Sequence, residues 1–524
     1  MSDSGKGNLS RSAAASFLGI FGSRIFGLLR DMVMSAYWGG SGAAQAAFHL
    51  AFAIPNTFRG LFGEGAFTAA FVPAVTEKLS LDDREGAWRL AERTISLQGT
   101  ALFLLIAFVS LVCWGVGQFL PADTREHIVL TFRILPLLLP YALLICVTGA
   151  FAGILNSLRS FAVPNANPIL FNLVQIGTLF LLWKLGWKNN EPRSLYLFCF
   201  CILIAGLLQM VALMIACRRR GFVFHFHLDV QDSEVRGVVS RFLPATLGSG
   251  AALVNQLIDK CLVGILGAQA VAAMAYSQRI VYVPVGLFGV AMGIVSLPAM
   301  TAARVKNDQE LLASHMDSAA RQILFMSLPC AILFGALAKP ILSLFFQRGA
   351  FTADDVAACA QAFLFYLPGI PAFCLMKIAI NPHYANKDTT TPVRVSLCCI
   401  ALNLILNLIL MHPLRQGGLA LATSITSWCN FLVVTYLGRK YLPAWKMRTT
   451  FYGALRLLLA AVLCGICAWL TYHHLAFSWN LLRLLCACGV GGLAYLLACI
   501  LLRAPEWRDL LLACCRRRNH KEER

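Results

Sequence analysis

Long apolar segments follow one another along nearly the whole of this chain. About fourteen of them are long enough for a membrane helix, which needs about 20 mostly apolar residues. Because backbone polar groups in lipid must be satisfied within each segment, the sequence predicts an all-α integral membrane protein. The approximate limits are 13–38, 44–76, 95–117, 130–155, 164–186, 194–217, 239–266, 270–300, 319–338, 357–381, 393–412, 417–437, 451–472 and 480–503.

Composition supports this class and excludes others. Hydrophobic residues make up 58% of the 524 residues and charged residues 13%, against about 25% charged in soluble domains. The net charge of +19 lies in short loops and forms no contiguous basic domain, so nucleic-acid binding is not expected. Most of the 19 cysteines lie in apolar segments, where free cysteine packs as a small hydrophobe. No cofactor is predicted except a coupling ion, Na⁺ or H⁺.

Basic residues mark one side of the membrane. If the N-terminus is cytoplasmic, the cytoplasmic loops contain most of the lysines and arginines, including Arg218–Arg220, and the tail adds Arg516–Arg518. Cytoplasmic loops of membrane proteins carry such an excess. An even number of spans then places both termini in the cytoplasm.

The chain also contains an internal repeat. Gly60–Gly63, read Gly-Leu-Phe-Gly, recurs as Gly286–Gly289 at an offset of 226 residues. Each copy spans six predicted helices, and this even number gives both copies the same orientation, as in transporters with parallel repeats. We therefore expect two six-helix lobes around a central cavity, at 1–220 and 221–440. Two additional helices and a basic tail follow at 441–524.

Charged side chains lie inside the apolar segments. A charge at mid-membrane costs roughly 2.5–3.5 kcal/mol, so several of one sign indicate a water-filled cavity that holds an anion. Arginine binds phosphate through a planar fork and keeps its charge. A diphosphate site is therefore predicted, and an acid within it would limit repulsion among the cations. Local pairing of Arg30 with Asp31 and of Arg59 with Glu64 is the alternative. The candidate site residues are Arg24, Arg30, Asp31, Arg59 and Arg279.

Two further sets of residues can each be interpreted in two ways. The glycine-rich turn at 56–65 fits either a hinge or portal with Glu64 as its gate, or close helix packing through small residues. Asp259, Asn403, Asn407 and Thr423 supply oxygen atoms at bilayer depth, so they are candidate Na⁺ ligands. Hydrogen bonding between helices is the alternative for these four side chains.

Several motifs resemble one family. Ser23–Asp31, read Ser-Arg-Ile-Phe-Gly-Leu-Leu-Arg-Asp, is similar to the opening motif of the MurJ (MviN) proteins, the lipid II flippases of bacteria. Gly63–Phe67, Pro284–Ala291 and Phe346–Thr352 continue the resemblance in order along nearly the whole chain. The family belongs to the multidrug/oligosaccharidyl-lipid/polysaccharide exporter superfamily. The resemblance implies two six-helix bundles, with two extra helices that form a groove for the polyprenyl tail.

The resemblance also implies a function. Such a chain flips lipid II from the cytoplasmic to the outer leaflet of the bacterial inner membrane by alternating access, for cell wall synthesis. It would act as a transporter rather than an enzyme, as a monomer among membrane lipids, and could associate with cell wall synthesis proteins. Arg30, Asp31, Arg59 and Arg279 fall where the family binds the diphosphate, with Arg24 as a further cavity cation and Glu64 near the portal.

The sequence departs from the family at two positions, and alternatives stay open. Many relatives have an acid where this chain has Ala46 and another where it has Gln278, which leaves the predicted cavity more cationic. An exporter of another polyprenyl-diphosphate-linked oligosaccharide shares the diphosphate, and an ion-coupled multidrug antiporter shares the superfamily. A membrane enzyme would need paired acids, and the loops offer Asp82–Asp83 and Asp354–Asp355, which are expected to cap helices.

Overall fold

The structure is a computed structural model that describes residues 3–189, 191–475, 477 and 479–507. These residues form helices joined by short turns, with no β-strand among them. The prediction of an all-helical chain is therefore confirmed for this part of the sequence. The predicted basic tail, with Arg516–Arg518, lies outside the described residues.

The α-helices follow one another along the chain, and two short π-helical segments interrupt the series. The π-segments are π1 (Arg59–Gly63) and π2 (Val285–Val290). The α-helices are α1 (Asp3–Trp38), α2 (Ala43–Phe58), α3 (Ala66–Ser80), α4 (Arg84–Gln118), α5 (Glu126–Ser157), α6 (Ala162–Lys184), α7 (Pro192–Arg218), α8 (Ser233–Leu266), α9 (Ala268–Pro284), α10 (Ala291–Val305), α11 (Gln309–Ala336), α12 (Ala338–Phe346), α13 (Ala353–Tyr366), α14 (Ile370–Ala379), α15 (Asn381–Ala385), α16 (Thr390–Leu414), α17 (Gln416–Gly438), α18 (Met447–His474) and α19 (Asn480–Leu501).

Eleven helical stretches in the described part of the chain are long and apolar enough to cross a membrane. The predicted segments 13–38, 44–76 and 239–266 are helical but do not belong to these eleven. They are the segments that contain Arg24, Arg59 and Asp259. The second of these segments is divided by a break after Gly63 into α2 and α3, of 16 and 15 residues, and each is shorter than the roughly 20 residues that a membrane span needs.

Contacts divide the chain into two compact units. The first unit comprises Met1–Ala272 and Arg348–Asp355, and the second comprises Ala273–Gln347 and Val356–Arg524. Within the first unit, α2, α5 and α7 bury a core in which Trp38 and Phe48 meet the ring of Phe198 edge-on at centroid distances of 4.8 and 5.2 Å.

Ion pairs and helix-end contacts fasten α8 to the rest of the first unit. At its start, Lys78 Nζ lies 2.8 Å from a carboxylate oxygen of Glu234, and this pairing raises the pKa of Lys78. At its end, the Arg125 guanidinium donates to the Ile265 carbonyl at 2.5 Å, and a ring nitrogen of His127 lies 2.9 Å from the Gly264 carbonyl. Basic groups at a helix C-terminus are stabilising because they face its negative dipole end.

The segment Arg348–Asp355 is tied to the first unit by Asp355, which is 1% exposed. Its carboxylate accepts hydrogen bonds from the backbone N–H of Gly40 at 3.0 Å and from the amide of Gln269 at 3.1 Å. Thr352 and Asp355 also exchange side-chain and backbone hydrogen bonds, which is a capping box at the start of α13. Asp83 likewise caps α4 by accepting from the Gly86 N–H at 2.8 Å.

The sequence repeat corresponds to a structural repeat at the π-segments. In the first unit, a Cβ added to Gly63 of π1 would lie 3.2 Å from the Cα of Cys146. In the second unit, a Cβ added to Gly289 of π2 would lie 2.8 Å from the Cα of Cys374. Each π-segment therefore packs glycine against the backbone of a neighbouring helix, at positions 226 residues apart.

Candidate functional site

Helix α1, which contains Arg24, Arg30 and Asp31, packs on α6 through a face of small residues. Added Cβ atoms at Gly19 and Gly22 would lie 3.0 Å from the backbone of Ala166 and 3.1 Å from the side chain of Ile169, both in α6. Small residues allow such close approach between membrane helices. This packing fixes one face of α1 on α6, and Arg24 is exposed on α1.

Arg30 and Asp31 form a close ion pair in α1. The Nε and Nη2 atoms of Arg30 both donate to Oδ1 of Asp31, at 3.0 and 2.7 Å. The side chains are 14% and 4% exposed, respectively. Charge-assisted hydrogen bonds of this kind hold a guanidinium in one orientation. Local pairing, the alternative considered from sequence, therefore occurs here.

Arg59 opens π1, and Glu64 ends it. The Glu64 backbone N–H donates to the Arg59 carbonyl at 2.9 Å, the wide bond of a π-turn. Arg59 Nη1 lies 3.4 Å from Oε1 of Glu64, with the side chains 36% and 60% exposed. The buried Nε of Arg59 has no hydrogen-bond partner among the described residues. The pair with Glu64, made through Nη1, therefore leaves the buried Nε–H of this guanidinium unsatisfied.

The first unit brings these cations near one aromatic group. Tyr141, which is 3% exposed in α5, interacts electrostatically with Arg59, Arg30 and Glu64. Its ring stacks on Phe171 at a centroid distance of 5.2 Å. Arg30 and Arg59 therefore both act electrostatically on the same buried tyrosine of the first unit.

Sequence reasoning missed the side chains that support π1. Gln98 donates to the Phe62 carbonyl, and the thiol of Cys146 donates to the Phe58 carbonyl at 3.4 Å. A glutamine in an apolar helix was the available signal for Gln98. Nothing in the sequence indicated Tyr141 or Cys146, because both are ordinary core residues by composition.

Arg279 belongs to the second unit and lies exposed in α9. Its neighbour Gln278 donates to the hydroxyl of Tyr366 at 2.7 Å, and that hydroxyl contacts the sulfur of Met274 at 3.6 Å. Gln278 is therefore a hydrogen-bond donor within this unit. Ala46, the other departure, is fully buried in the first unit.

The candidate Na⁺ ligands fall in both units. In the second unit, Asn407 donates to the side-chain oxygen of Asn403 at 3.0 Å, and Asn403 donates to Thr426 at 3.2 Å. Thr423 donates back to the Leu419 carbonyl at 3.0 Å. Asp259 lies half-buried in α8 of the first unit. The two asparagines thus join α16 to α17 by hydrogen bonds, and a sodium site stays a prediction.

Histidine, cysteine and the carboxylates are the other side chains that commonly bind metal ions in proteins. Within the described residues, no group of three or more His, Cys, Asp or Glu side chains could hold a metal ion. Asp83 and Asp355, one from each pair of loop acids, cap helices as expected.

Comparisons with known proteins identify relatives along almost the full length. The family model described as "Lipid II flippase MurJ" matches residues 35–487. A "Probable lipid II flippase MurJ" of Rhizobium tropici is 31% identical over 485 residues, covering 91% of this chain and 90% of the relative. A protein of the same description from Vibrio cholerae is 30% identical over 514 residues, covering 94% and 95%.

Solved structures share the fold. A structure described as "Lipid II flippase MurJ, inward closed conformation" matches with a TM-score of 0.77 and 23% identity, covering 95% of this chain and 99% of that one. An inward-facing multidrug resistance MATE family transporter of the MOP superfamily matches with a TM-score of 0.68 and 14% identity, covering 80% and 95%. At these identities the structures establish the fold alone.

Proposed function

The chain belongs to the MurJ family and is a lipid II flippase, and we propose that its arginines bind the diphosphate of lipid II during alternating access. Arg30 and Arg59 of the first unit are the principal ligands, with Arg279 of the second unit and Arg24 as further cations. Asp31 orients Arg30, and Glu64 acts as the gate.

One observation carries this assignment. Arg59 is 36% exposed and paired with Glu64 at 3.4 Å, yet its buried Nε has no partner in the described part of the chain. A buried donor without a partner costs about 1–3 kcal/mol, so the Arg59 guanidinium gains if it reorients during transport and its Nε–H meets a phosphate oxygen. Arg30 differs, because Asp31 already engages two of its nitrogen atoms. We therefore assign the direct contact first to Arg59.

The membrane topology proposed for this function has fourteen spans. It adds α1, the stretch from α2 to α3, and α8 to the eleven apolar helices, as two six-helix lobes around a central cavity followed by two helices. Both termini lie in the cytoplasm and the protein resides in the bacterial inner membrane. The charges of the three added segments then lie at bilayer depth, where ionisable residues face water or a partner.

The two last helices are proposed to hold the polyprenyl tail. Large apolar side chains on α18 and α19 are exposed, among them Leu459 at 57%, Leu493 at 63% and Leu497 at 60%. Burying a methylene group is worth about 0.8 kcal/mol, so the tail stays in lipid while the headgroup crosses. Membrane potential or a Na⁺ or H⁺ gradient drives the cycle, in a monomer that associates with cell wall synthesis proteins.

The test is rescue of cells depleted of their own lipid II flippase. Arg30, Arg59 and Arg279 are each replaced by Ala and by Lys, with Arg218→Ala, an exposed cation at the end of α7, as the matched control. Hydrogen bonds to charged groups contribute about 1.5–3 kcal/mol each. We expect the wild type and the control to rescue, the Ala variants to express but fail, and the Lys variants to rescue in part.

Two outcomes would contradict the proposal. Full rescue by all three Ala variants would make the arginines structural and remove the diphosphate site. Failure of the wild type, at normal expression, would favour the nearest alternative, an exporter of another polyprenyl-diphosphate-linked oligosaccharide.

A further inference from the structure

A second cationic site lies apart from the residues assigned above, in the turn between α17 and α18. A cavity of about 520 Å³ opens there. Its polar wall is formed by Arg439, Lys446 and Arg448, and its apolar wall includes Leu442 and Trp445. Ligand sites in proteins have volumes of about 300–1,000 Å³ and combine apolar walls with a few polar groups. The volume is therefore that of a small-ligand or headgroup site.

The three cations of this cavity have no carboxylate partner among the described residues. Arg439 contacts the sulfur of Met447 at 3.2 Å through Nη2, and Arg448 contacts the hydroxyl of Tyr452 at 3.3 Å. By contrast, the neighbouring Lys440 lies 3.5 Å from the carboxylate of Asp388. The cavity therefore has a surplus of three positive charges, and its chemical preference is for an anion.

The cavity lies at the level of the membrane surface. It occupies the turn between two helices that are apolar enough to cross a membrane, Gln416–Tyr441 and Met447–His474. Exposed aromatic side chains flank it, with Tyr436 at 65%, Phe451 at 68% and Tyr452 at 48%. Tyrosine and tryptophan concentrate at this depth in membrane proteins. The anion nearest to such a site is the phosphate of a lipid.

Hydrogen bonds within the second unit fix the residues that line the cavity and their neighbours in sequence. The Trp445 indole donates to the Thr450 hydroxyl at 3.1 Å, and Thr450 in turn donates to Asp317 of α11. On the other side, the Tyr441 hydroxyl donates to Asp388 at 3.1 Å. Hydrogen bonds from backbone and side-chain donors outweigh the effect of burial and hold the pKa of Asp388 well below its usual range. A site formed before binding loses less entropy when its ligand arrives.

We propose that this cavity binds the headgroup of an anionic glycerophospholipid. Arginine and lysine bind the phosphate, while the acyl chains lie on the exposed apolar faces of α17 and α18, which include Leu432 at 53% and Leu455 at 46% exposure. The proposed occupant is a bulk membrane lipid, and binding of the transported lipid to this cavity is the outcome that would overturn that choice. The bound lipid stabilises the turn between α17, the last helix of the repeated part, and α18.

The experiment titrates the purified full-length protein with dioctanoyl phosphatidylglycerol, using dioctanoyl phosphatidylcholine as the neutral comparison. Native mass spectrometry counts the bound lipids. The test variant is Arg439→Ala/Lys446→Ala/Arg448→Ala. The matched control removes three exposed cations elsewhere, Arg218→Ala/Arg219→Ala/Lys306→Ala.

The expected loss is large and confined to the anionic lipid. Each basic residue near an anionic surface contributes about fivefold in affinity, so the test variant should lose about 100-fold for phosphatidylglycerol. The control should stay within about threefold of the wild type, and phosphatidylcholine should bind weakly to all three. A charge-preserving variant, Arg439→Lys/Arg448→Lys, should keep phosphatidylglycerol affinity within about tenfold, which guards against misfolding of the alanine variant.

Three results would overturn the proposal. The first is an equal loss in the test and control variants, and the second is equal binding of the two lipids by the wild type. The third is a test variant that binds phosphatidylglycerol normally but loses lipid II, which would assign the cavity to the substrate. None of these results depends on the arginines of the flippase site.

Discussion

The two π-segments share their packing and differ in charge. In both units a glycine of the π-segment meets the backbone of a cysteine in the facing helix. In both, that cysteine's thiol points at a carbonyl just before the π-segment, Cys146 at Phe58 and Cys374 at Pro284. At the offset of 226, however, Val285 stands where π1 has Arg59.

The ends of the two segments differ in the same way. After π1, Glu64 is extended and Gly65 has a φ of 53°, so the helix is interrupted before α3. After π2, helix α10 begins at once with Ala291. Both π-segments therefore pack a glycine closely against the backbone of a facing helix. Of the two, π1 contains a charged residue and is followed by a break in the helix, whereas π2 has neither. The proposed site therefore assigns substrate handling to π1, and the packing of π2 needs no such role.

The largest expected effect tests the close glycine packing that the two π-segments share. In Gly289→Ala the new Cβ would lie 2.8 Å from a backbone atom of Cys374, against 3.2 Å for Gly63→Ala and Cys146. Overpacking costs about 1–3 kcal/mol, so both variants should lose stability and Gly289→Ala should lose more. Melting temperatures in detergent measure this. Gly177→Ala and Gly492→Ala, whose added Cβ atoms meet nothing within 4 Å, should melt at or above the wild-type temperature.

If Gly289→Ala melts no lower than Gly492→Ala, the close packing of π2 against Cys374 is wrong. If only Gly63→Ala is destabilised, the glycine packing of π1 and that of π2 are not equivalent.

The next effect tests the break that follows π1. Gly65→Ala places a side chain at a φ of 53°, and its Cβ would lie 3.3 Å from the Gly60 carbonyl. Strained backbone of this kind costs about 1–3 kcal/mol, and the variant should lose transport as well as stability. The counterpart Ala291→Gly adds freedom to a continuous helix, costs about 0.5–1 kcal/mol and should keep transport. Equal loss of transport by the two variants would remove the distinction between the segments.

The smallest effect concerns the gate. Glu64 and Arg59 are 60% and 36% exposed, and exposed ion pairs contribute about 0–1 kcal/mol. Glu64→Gln should therefore change stability by less than about 1 kcal/mol. It should strengthen binding of lipid II, because the charge of Arg59 is no longer balanced. Weaker binding at unchanged stability would give Glu64 a role other than competing with the substrate for Arg59.

The sequence predicted the helical class and the internal repeat, and it offered the local ion pairs of Arg30 and Arg59 as the alternative to a diphosphate site. These features follow from apolar length, from repeated motifs and from adjacent opposite charges, all of which are local properties. The capping roles of Asp83 and Asp355 were also predictable, because each stands at the start of a helical segment.

Other features depend on contacts between distant residues. A π-segment at Arg59 has no sequence signature, since it arises where Gly63 meets Cys146 of another helix. The Asp355 carboxylate accepts hydrogen bonds from Gly40 and Gln269, which are 315 and 86 residues away along the chain. The electrostatic interaction of Arg30 and Arg59 with Tyr141 of α5 is of the same kind. Such contacts require the fold before the residues can be connected.

Direct binding of lipid II to the purified Arg59→Ala variant would test the central claim most directly, with Val285→Ala as the counterpart from π2. Loss of a hydrogen bond to a charged group costs about 1.5–3 kcal/mol. Arg59→Ala should therefore weaken binding by about 10- to 100-fold, while Val285→Ala should bind as the wild type does. Wild-type affinity in folded Arg59→Ala, or an equal loss in both variants, would contradict the assignment of the diphosphate to Arg59.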